Sequence, residues 1–150
     1  MKQRIIIASP EKMEEFAAEF SKTLKGGEVL ALRGELGAGK TAFAKGLAKA
    51  FGINEVVQSP TFLLMKCYAV GRRATVKPAL RTLCHVDAYR IKKEAELLAI
   101  GLSEHLNDPG TVTIIEWADL VPALIPAHAV HMEFLHGKND AERVINIARR

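Results

Sequence analysis

With 150 residues, 49% of them hydrophobic and 25% charged, the chain has the size and balance of one soluble globular domain spanning residues 1–150. No apolar run approaches the ~20 residues that cross a bilayer, and Ile5-Ile6-Ile7, behind Lys2 and Arg4, is too short for the apolar part of a signal peptide. The net charge of +4 is modest; it suits RNA or an acidic protein partner, and a solubilising surface explains it equally well.

In chain order, Arg4 to Ala8 reads as a strand. Ser9 is placed as a helix N-cap, Pro10 suits the first helical position, and Glu11, Glu14 and Glu15 complement the positive helix end. Met13, Phe16, Ala17, Phe20 and Leu24 recur at helical spacing, with Gly26-Gly27 expected to end the helix. Glu28-Val29-Leu30-Ala31-Leu32-Arg33 is a short apolar run of the kind that forms a buried parallel strand.

The next residues carry the chemistry. Gly34-Glu35-Leu36-Gly37-Ala38-Gly39-Lys40-Thr41 has the pattern G-x-x-x-x-G-K-[ST], the phosphate-binding loop of nucleoside triphosphatases. Its glycines permit backbone angles that let consecutive N–H groups converge on one phosphate. Lys40 adds a compact cation for the β- and γ-phosphates, and the Thr41 hydroxyl is a Mg²⁺ ligand. A helix starting near Gly39 aims its unpaired N–H groups at the same anion. Ala42, Phe43, Leu47, Ala48, Ala50 and Phe51 continue that helix on largely one face, and Gly52 stops it.

Pro60 in Ser59-Pro60-Thr61-Phe62 disfavours helix for Ser59, so this segment is extended or turning. Leu63 to Ala69 and Thr82 to Val86 read as strands, joined by Gly71 to Arg81, a basic stretch punctuated by Gly and Pro that reads as a hairpin connection or a flexible flap. Each of these two strands holds one cysteine. Cys67 and Cys84 have neither zinc-ribbon nor disulfide-framework spacing and are expected as reduced thiols of a cytoplasmic protein. Glu94 to Ala99 is a short helix, Ser103 a cap for a further turn through Leu106, and Asn107-Asp108-Pro109-Gly110 a turn. Val112 to Ile115 is a buried-type strand. Pro122 and Pro126 break the next segment, and His128 to Leu135 and Arg143 to Ile147 are strands joined by Gly137-Lys138-Asn139-Asp140. The expected fold is α/β: a P-loop nucleoside triphosphatase with a mixed, mainly parallel central sheet flanked by helices.

A triphosphatase needs a carboxylate at the end of a buried strand to hold Mg²⁺ or its waters. Two strands offer one each, Asp87 after Val86 and Glu116 after Ile115, and strand ends in open α/β sheets converge on the ligand crevice. The residues alone leave open which acid holds the metal and which positions water. His85 shares a strand face with Asp87 and is assigned a structural hydrogen bond, and Trp117 is a packed aromatic or a wall of the nucleotide pocket.

Together the Gly34–Thr41 loop, Ser59-Pro60-Thr61-Phe62, His85-x-Asp87-x-Tyr89-Arg90, Ile115-Glu116-Trp117 and the late Glu142-Arg143-Val144 resemble one family across almost the whole chain. It is the TsaE (YjeE-type) P-loop ATPases of tRNA threonylcarbamoyladenosine biosynthesis. The resemblance implies a Mg²⁺-dependent ATPase that modifies tRNA next to the anticodon only within a complex, with TsaD- and TsaB-type proteins as partners and tRNA contact direct or indirect. It places Thr41 and Glu116 at Mg²⁺ and Thr61 in a switch near the γ-phosphate, and it makes Asp87 the candidate for orienting the attacking water or a water bound to Mg²⁺. Ser9 and Arg143 then lie on the adenine side, and Glu35, Leu36, Gly37, Ala38, Gly39 and Lys40 around the phosphates. Glu35 stands where the family more often has Asp, with its side chain expected to point away from phosphate, and the basic 71–81 connection is longer than usual.

Two other readings stay in view. A small-molecule or nucleotide kinase would use Arg72, Arg73 and Arg81 as a phosphate-closing lid, and a nucleotide-gated binding module would need no hydrolysis at all. A GTPase is disfavoured because the N/T-K-x-D guanine motif is absent.

Overall fold

Residues 29–32 and 112–115 are almost wholly apolar, a composition that only the middle of a sheet covered on both faces accommodates, and they form its centre. The computed structural model describes residues 2–60, 62–73 and 76–149. Its strands are β1 (Lys2–Ile7), β2 (Val29–Gly34), β3 (Met65–Ala69), β4 (Thr82–Asp87), β5 (Thr111–Glu116), β6 (Val130–His136) and β7 (Arg143–Ala148), in the order β1-β7-β6-β2-β5-β4-β3. The pairings β6–β2, β2–β5 and β5–β4 are parallel. The outer pairings β1–β7, β7–β6 and β4–β3 are antiparallel. The sheet is therefore mixed, as expected, with its parallel part at the centre.

One face is covered by α1 (Pro10–Ser21) and α2 (Lys40–Ala50). Met13, Ala17, Phe20, Phe43, Leu47 and Phe51 bury against Leu30, Leu32, Ile114, Met132, Phe134 and Ile145. Phe43 touches the rings of Phe16, Phe20 and Phe134, with centroids 5.6 to 5.8 Å apart. A fully buried ring of this kind contributes about 1.5–3 kcal/mol. The helices approach closely because α2 carries Gly46, where a Cβ would lie 2.8 Å from that of Ala17. On the other face α3 (Ala95–Ala99) and α4 (Leu102–Leu106) bring Leu97 and Leu102 onto Val29, Val86 and Ile115. Further along this face, register aligns Arg4, Asn146, Glu133 and Arg33 across four strands. Arg4 donates to Asn146 (3.3 Å), Asn146 to Glu133 (3.1 Å), and Arg33 lies 3.6 Å from Glu133.

Three local expectations are corrected. Helix α1 ends at Ser21 rather than at Gly26-Gly27, because the Ser21 and Thr23 hydroxyls donate back to Ala18 and Phe20 carbonyls and tighten the last turn. Gly101, with φ +89°, precedes α4 where Ser103 was expected; Ser103 lies inside the helix. Cys67 and Cys84 are not free thiols. The antiparallel β3–β4 register sets them opposite each other with Cα atoms 4.0 Å apart, and their sulfurs are bonded at 2.05 Å. That pairing follows from hairpin register across a long connection, which cysteine spacing does not reveal. Within the connection, Arg81 pairs with Asp108 at 3.2 Å. Among the described residues no helix is long and apolar enough to cross a membrane.

Candidate active site

The loop of residues 34–41 runs from the end of β2 into the start of α2. Gly37 (φ +77°) and Gly39 (φ +111°) take left-handed angles there, and a side chain at Gly39 would also lie 3.0 Å from Met13 Cε. Ala38 N–H closes the turn onto the Glu35 carbonyl at 3.1 Å. Gly39 is the N-cap of α2 and offers no side-chain partner to the first N–H groups of that helix.

Lys40 is buried, with 4% of its surface exposed. Its ammonium donates to the carbonyls of Gly34 and Glu35 and lies 4.0 Å from the centroid of the Trp117 ring. Burial lowers its pKa from the ordinary 10.5, an effect opposed by the negative charges of Glu116, Asp119 and Asp87. Trp117 itself takes a left-handed backbone (φ 59°), which turns its indole from the end of β5 toward the loop. The Tyr89 ring packs against it, tilted by 39°, with centroids 4.8 Å apart.

Parallel pairing sets Asp87 and Glu116 side by side at the ends of β4 and β5. Both are buried. Glu116 Oε1 accepts from the Thr41 hydroxyl at 2.8 Å, and Oε2 is bonded to His85 Nε2. Asp87 Oδ1 accepts from the Tyr89 N–H at 3.0 Å, and Oδ2 from the Ser59 hydroxyl. The two acids thus have different company: one is tied to the loop helix, the other to Ser59 and the Tyr89 backbone. A hydroxyl beside a carboxylate at the mouth of a phosphate loop is an oxygen-donor set that fits a hard divalent cation.

These groups border a cleft of about 620 Å³ lined by Leu36, Gly37, Gly39, Lys40, Thr41 and Ala42 of the loop and helix, and by Ser59, Asp87, Tyr89, Arg90, Glu116 and Trp117. A smaller hollow of about 170 Å³ adjoins it across Gly37, Gly39 and Ala42, with Ile7, Pro10 and Met13 as apolar walls and Ser9 and Arg143 at its border. Arg143 Nε donates to the Gly37 carbonyl at 3.2 Å, and Ser9 Oγ accepts from Lys12 N–H at 3.2 Å.

The structure therefore brings Lys40, Thr41, Asp87 and Glu116 together in the cleft, with Ser9 and Arg143 beside it. Leu36 is an exposed rim residue, Ala38 is turned into the core, and Glu35 lines a different hollow beyond Trp117. Thr61 lies outside the described residues. Sequence reasoning assigned no site role to Ser59, Tyr89 or Arg90, although all three stand in the motifs that flank Asp87. It gave His85 a hydrogen bond without naming Glu116, a partner visible only once β4 and β5 are paired.

Comparison with known proteins places the chain in a family and a fold. The model of the family "Threonylcarbamoyl adenosine biosynthesis protein TsaE" matches residues 7–145. The chain is 34% identical over 148 residues to the tRNA threonylcarbamoyladenosine biosynthesis protein TsaE of Rickettsia bellii, covering 98% of this chain and 95% of that one. It is 37% identical over 136 residues to the protein of the same name in Bacillus subtilis, covering 91% and 79%. The crystal structure of Bacillus subtilis YdiB superposes with a TM-score of 0.79 at 30% identity, covering 99% of this chain and 86% of that one. The chain has the P-loop type of α/β fold and belongs to the TsaE family of tRNA threonylcarbamoyladenosine biosynthesis.

Proposed function

We propose that the chain is the Mg²⁺-dependent, ATP-binding and ATP-hydrolysing subunit required for threonylcarbamoyladenosine modification of tRNA next to the anticodon. It acts in the cytoplasm within a complex of TsaD- and TsaB-type partner proteins. The observation that carries this reading is the Thr41–Glu116 hydrogen bond at the mouth of the glycine loop, with Asp87 one strand away. Thr41 and Glu116 would hold Mg²⁺, whose charge, when bound, offsets that developing on the β- and γ-phosphates.

This chain's own residues do the rest. Lys40 exchanges its loop carbonyls for the phosphates, an anion that also repairs the cost of burying the ammonium. The open N–H groups of α2 face the same charge. Asp87, positioned by Ser59 and the Tyr89 N–H, orients the attacking water, and Thr61 closes the γ-phosphate side. Adenine occupies the hollow between Ser9, Met13 and Arg143. Arg72, Arg73 and Arg81, the lid of the kinase reading, are not among the cleft-lining residues.

The test is phosphate release by the chain alone and with TsaD- and TsaB-type partners and tRNA, comparing the parent with Lys40→Ala. Loss of a contact made to transferring phosphate is typically worth ~3 kcal/mol, roughly a hundredfold in rate. A Lys40→Ala protein that hydrolyses ATP at the parent rate in the complex overturns the site. Phosphate appearing on a nucleoside acceptor instead of in solution points to a kinase, and modification without any hydrolysis points to a binding module.

A further inference from the structure

We propose that Cys67, Cys84 and His105 form a second metal site, separate from the nucleotide cleft, which takes a soft divalent cation such as Zn²⁺ once the disulfide is reduced. The two sulfurs and His105 Nε2 all lie within 4.8 Å of one another. Adjacent ligands of a zinc tetrahedron, at Zn–S of about 2.3 Å and Zn–N of about 2.0 Å, stand roughly 3.5–3.8 Å apart. Cys67 Sγ and His105 Nε2 are already 3.8 Å apart. A disulfide alone has no need of an imidazole nitrogen at its side, whereas a metal site needs it as third ligand.

The scaffold is rigid where a ligand set must be. Cys67 and Cys84 are direct partners in the β3–β4 ladder, and His105 is carried by α4, which is anchored by fully buried Leu102. Cys84 is buried, while Cys67 and His105 are partly exposed, so an ion and a reductant can approach from one side. Cys67–Cys84 is reduced by a dithiol in a two-electron exchange, which leaves two protein thiols and an oxidised dithiol. Binding of Zn²⁺ then displaces the two thiol protons, neutral His105 supplies a nitrogen lone pair, and water completes the fourth position. The reverse exchange re-forms the disulfide and expels the ion.

The experiment uses the full chain, reduced with a phosphine and freed of reductant without air, then titrated with Co²⁺ as a spectroscopic probe. One equivalent should bind with a thiolate-to-cobalt charge-transfer band that oxygen ligands at the nucleotide cleft cannot produce. Zn²⁺ should displace it, and the protein left unreduced should show none. His105→Ala should weaken binding by more than the roughly 10- to 100-fold that loss of an outer hydrogen bond to a ligand costs. A second measurement needs no variant: Zn²⁺ should slow alkylation of both thiols in the reduced parent. Absence of the band, its persistence in a Cys67→Ser/Cys84→Ser protein, undiminished affinity in His105→Ala, or alkylation indifferent to Zn²⁺ each overturns the site.

Discussion

The Thr41 hydroxyl donates to Glu116 Oε1 at 2.8 Å, joining the first turn of α2 to the end of β5. Two segments 75 positions apart in sequence therefore share one point, with His85 holding the far oxygen of the same carboxylate. Glu116→Ala should weaken nucleotide binding in the presence of Mg²⁺ by about tenfold or more, the scale of a hydrogen bond to a charged group. It should change binding little when Mg²⁺ is withheld. Calorimetric titration with and without Mg²⁺ reads the difference, and a variant that binds as tightly as the parent in the presence of Mg²⁺ would remove Glu116 from the metal.

Asp87 should behave differently, because its oxygens face Ser59 and the Tyr89 N–H rather than Thr41. Asp87→Asn keeps the size and one acceptor, so nucleotide affinity should stay near the parent's. Turnover in the complex should fall by roughly 10²-fold or more, the usual contribution of a positioned acid or base. If the phenotypes of Asp87→Asn and Glu116→Ala are exchanged, so are the two roles.

Burial lowers the Lys40 pKa below 10.5, so the folded protein holds that proton less tightly than the unfolded chain does. Between the lowered value and 10.5 the unfolded state carries more protons, and the Lys40 contribution makes stability rise with pH across that window. Below it the ammonium is charged in both states and its burial cost stands in full. Lys40→Met, without nucleotide, should therefore melt as high as the parent or a few degrees higher at neutral pH. Its advantage should shrink as pH approaches 10.5. Thermal unfolding of both proteins at several pH values provides the check; a gap that widens with pH contradicts the assignment.

The 71–81 connection carries Arg72, Arg73, Lys77 and Arg81, a set of cations suited to an acidic partner or to tRNA. Arg81 is already engaged with Asp108 in a solvent-screened surface pair. Replacing Arg72, Arg73, Lys77 and Arg81 with Ser should leave the basal ATPase intact. Stimulation by partners and tRNA should drop, and the parent's own stimulation should weaken with salt in proportion to the phosphates it neutralises. Stimulation equal to the parent's at two salt concentrations would reduce the stretch to a solvated loop.

Much of this site is legible along the chain because its chemistry is local in sequence. Gly37, Gly39, Lys40 and Thr41 sit within one turn, and Asp87 and Glu116 announce themselves as acids ending apolar strands. Contacts set by strand order are not legible in the same way. The His85–Glu116 and Cys67–Cys84 pairs depend on which strands become neighbours and in what register. The early end of α1 was hidden for another reason: Leu24 keeps the helical spacing and is fully buried, yet the hydroxyls of Ser21 and Thr23 have already turned the chain.

Trp117 is the only tryptophan in the chain, and it stands in the cleft with the Lys40 ammonium 4.0 Å from its ring. The protein's indole emission therefore originates almost entirely at the place where nucleotide chemistry is proposed. A cation over an aromatic face perturbs the excited state, and drawing Lys40 toward an anion changes that perturbation. The molecule carries its own optical probe: with no dye or label attached, occupancy of the cleft, its kinetics and the emptying of the site can be followed in the ultraviolet.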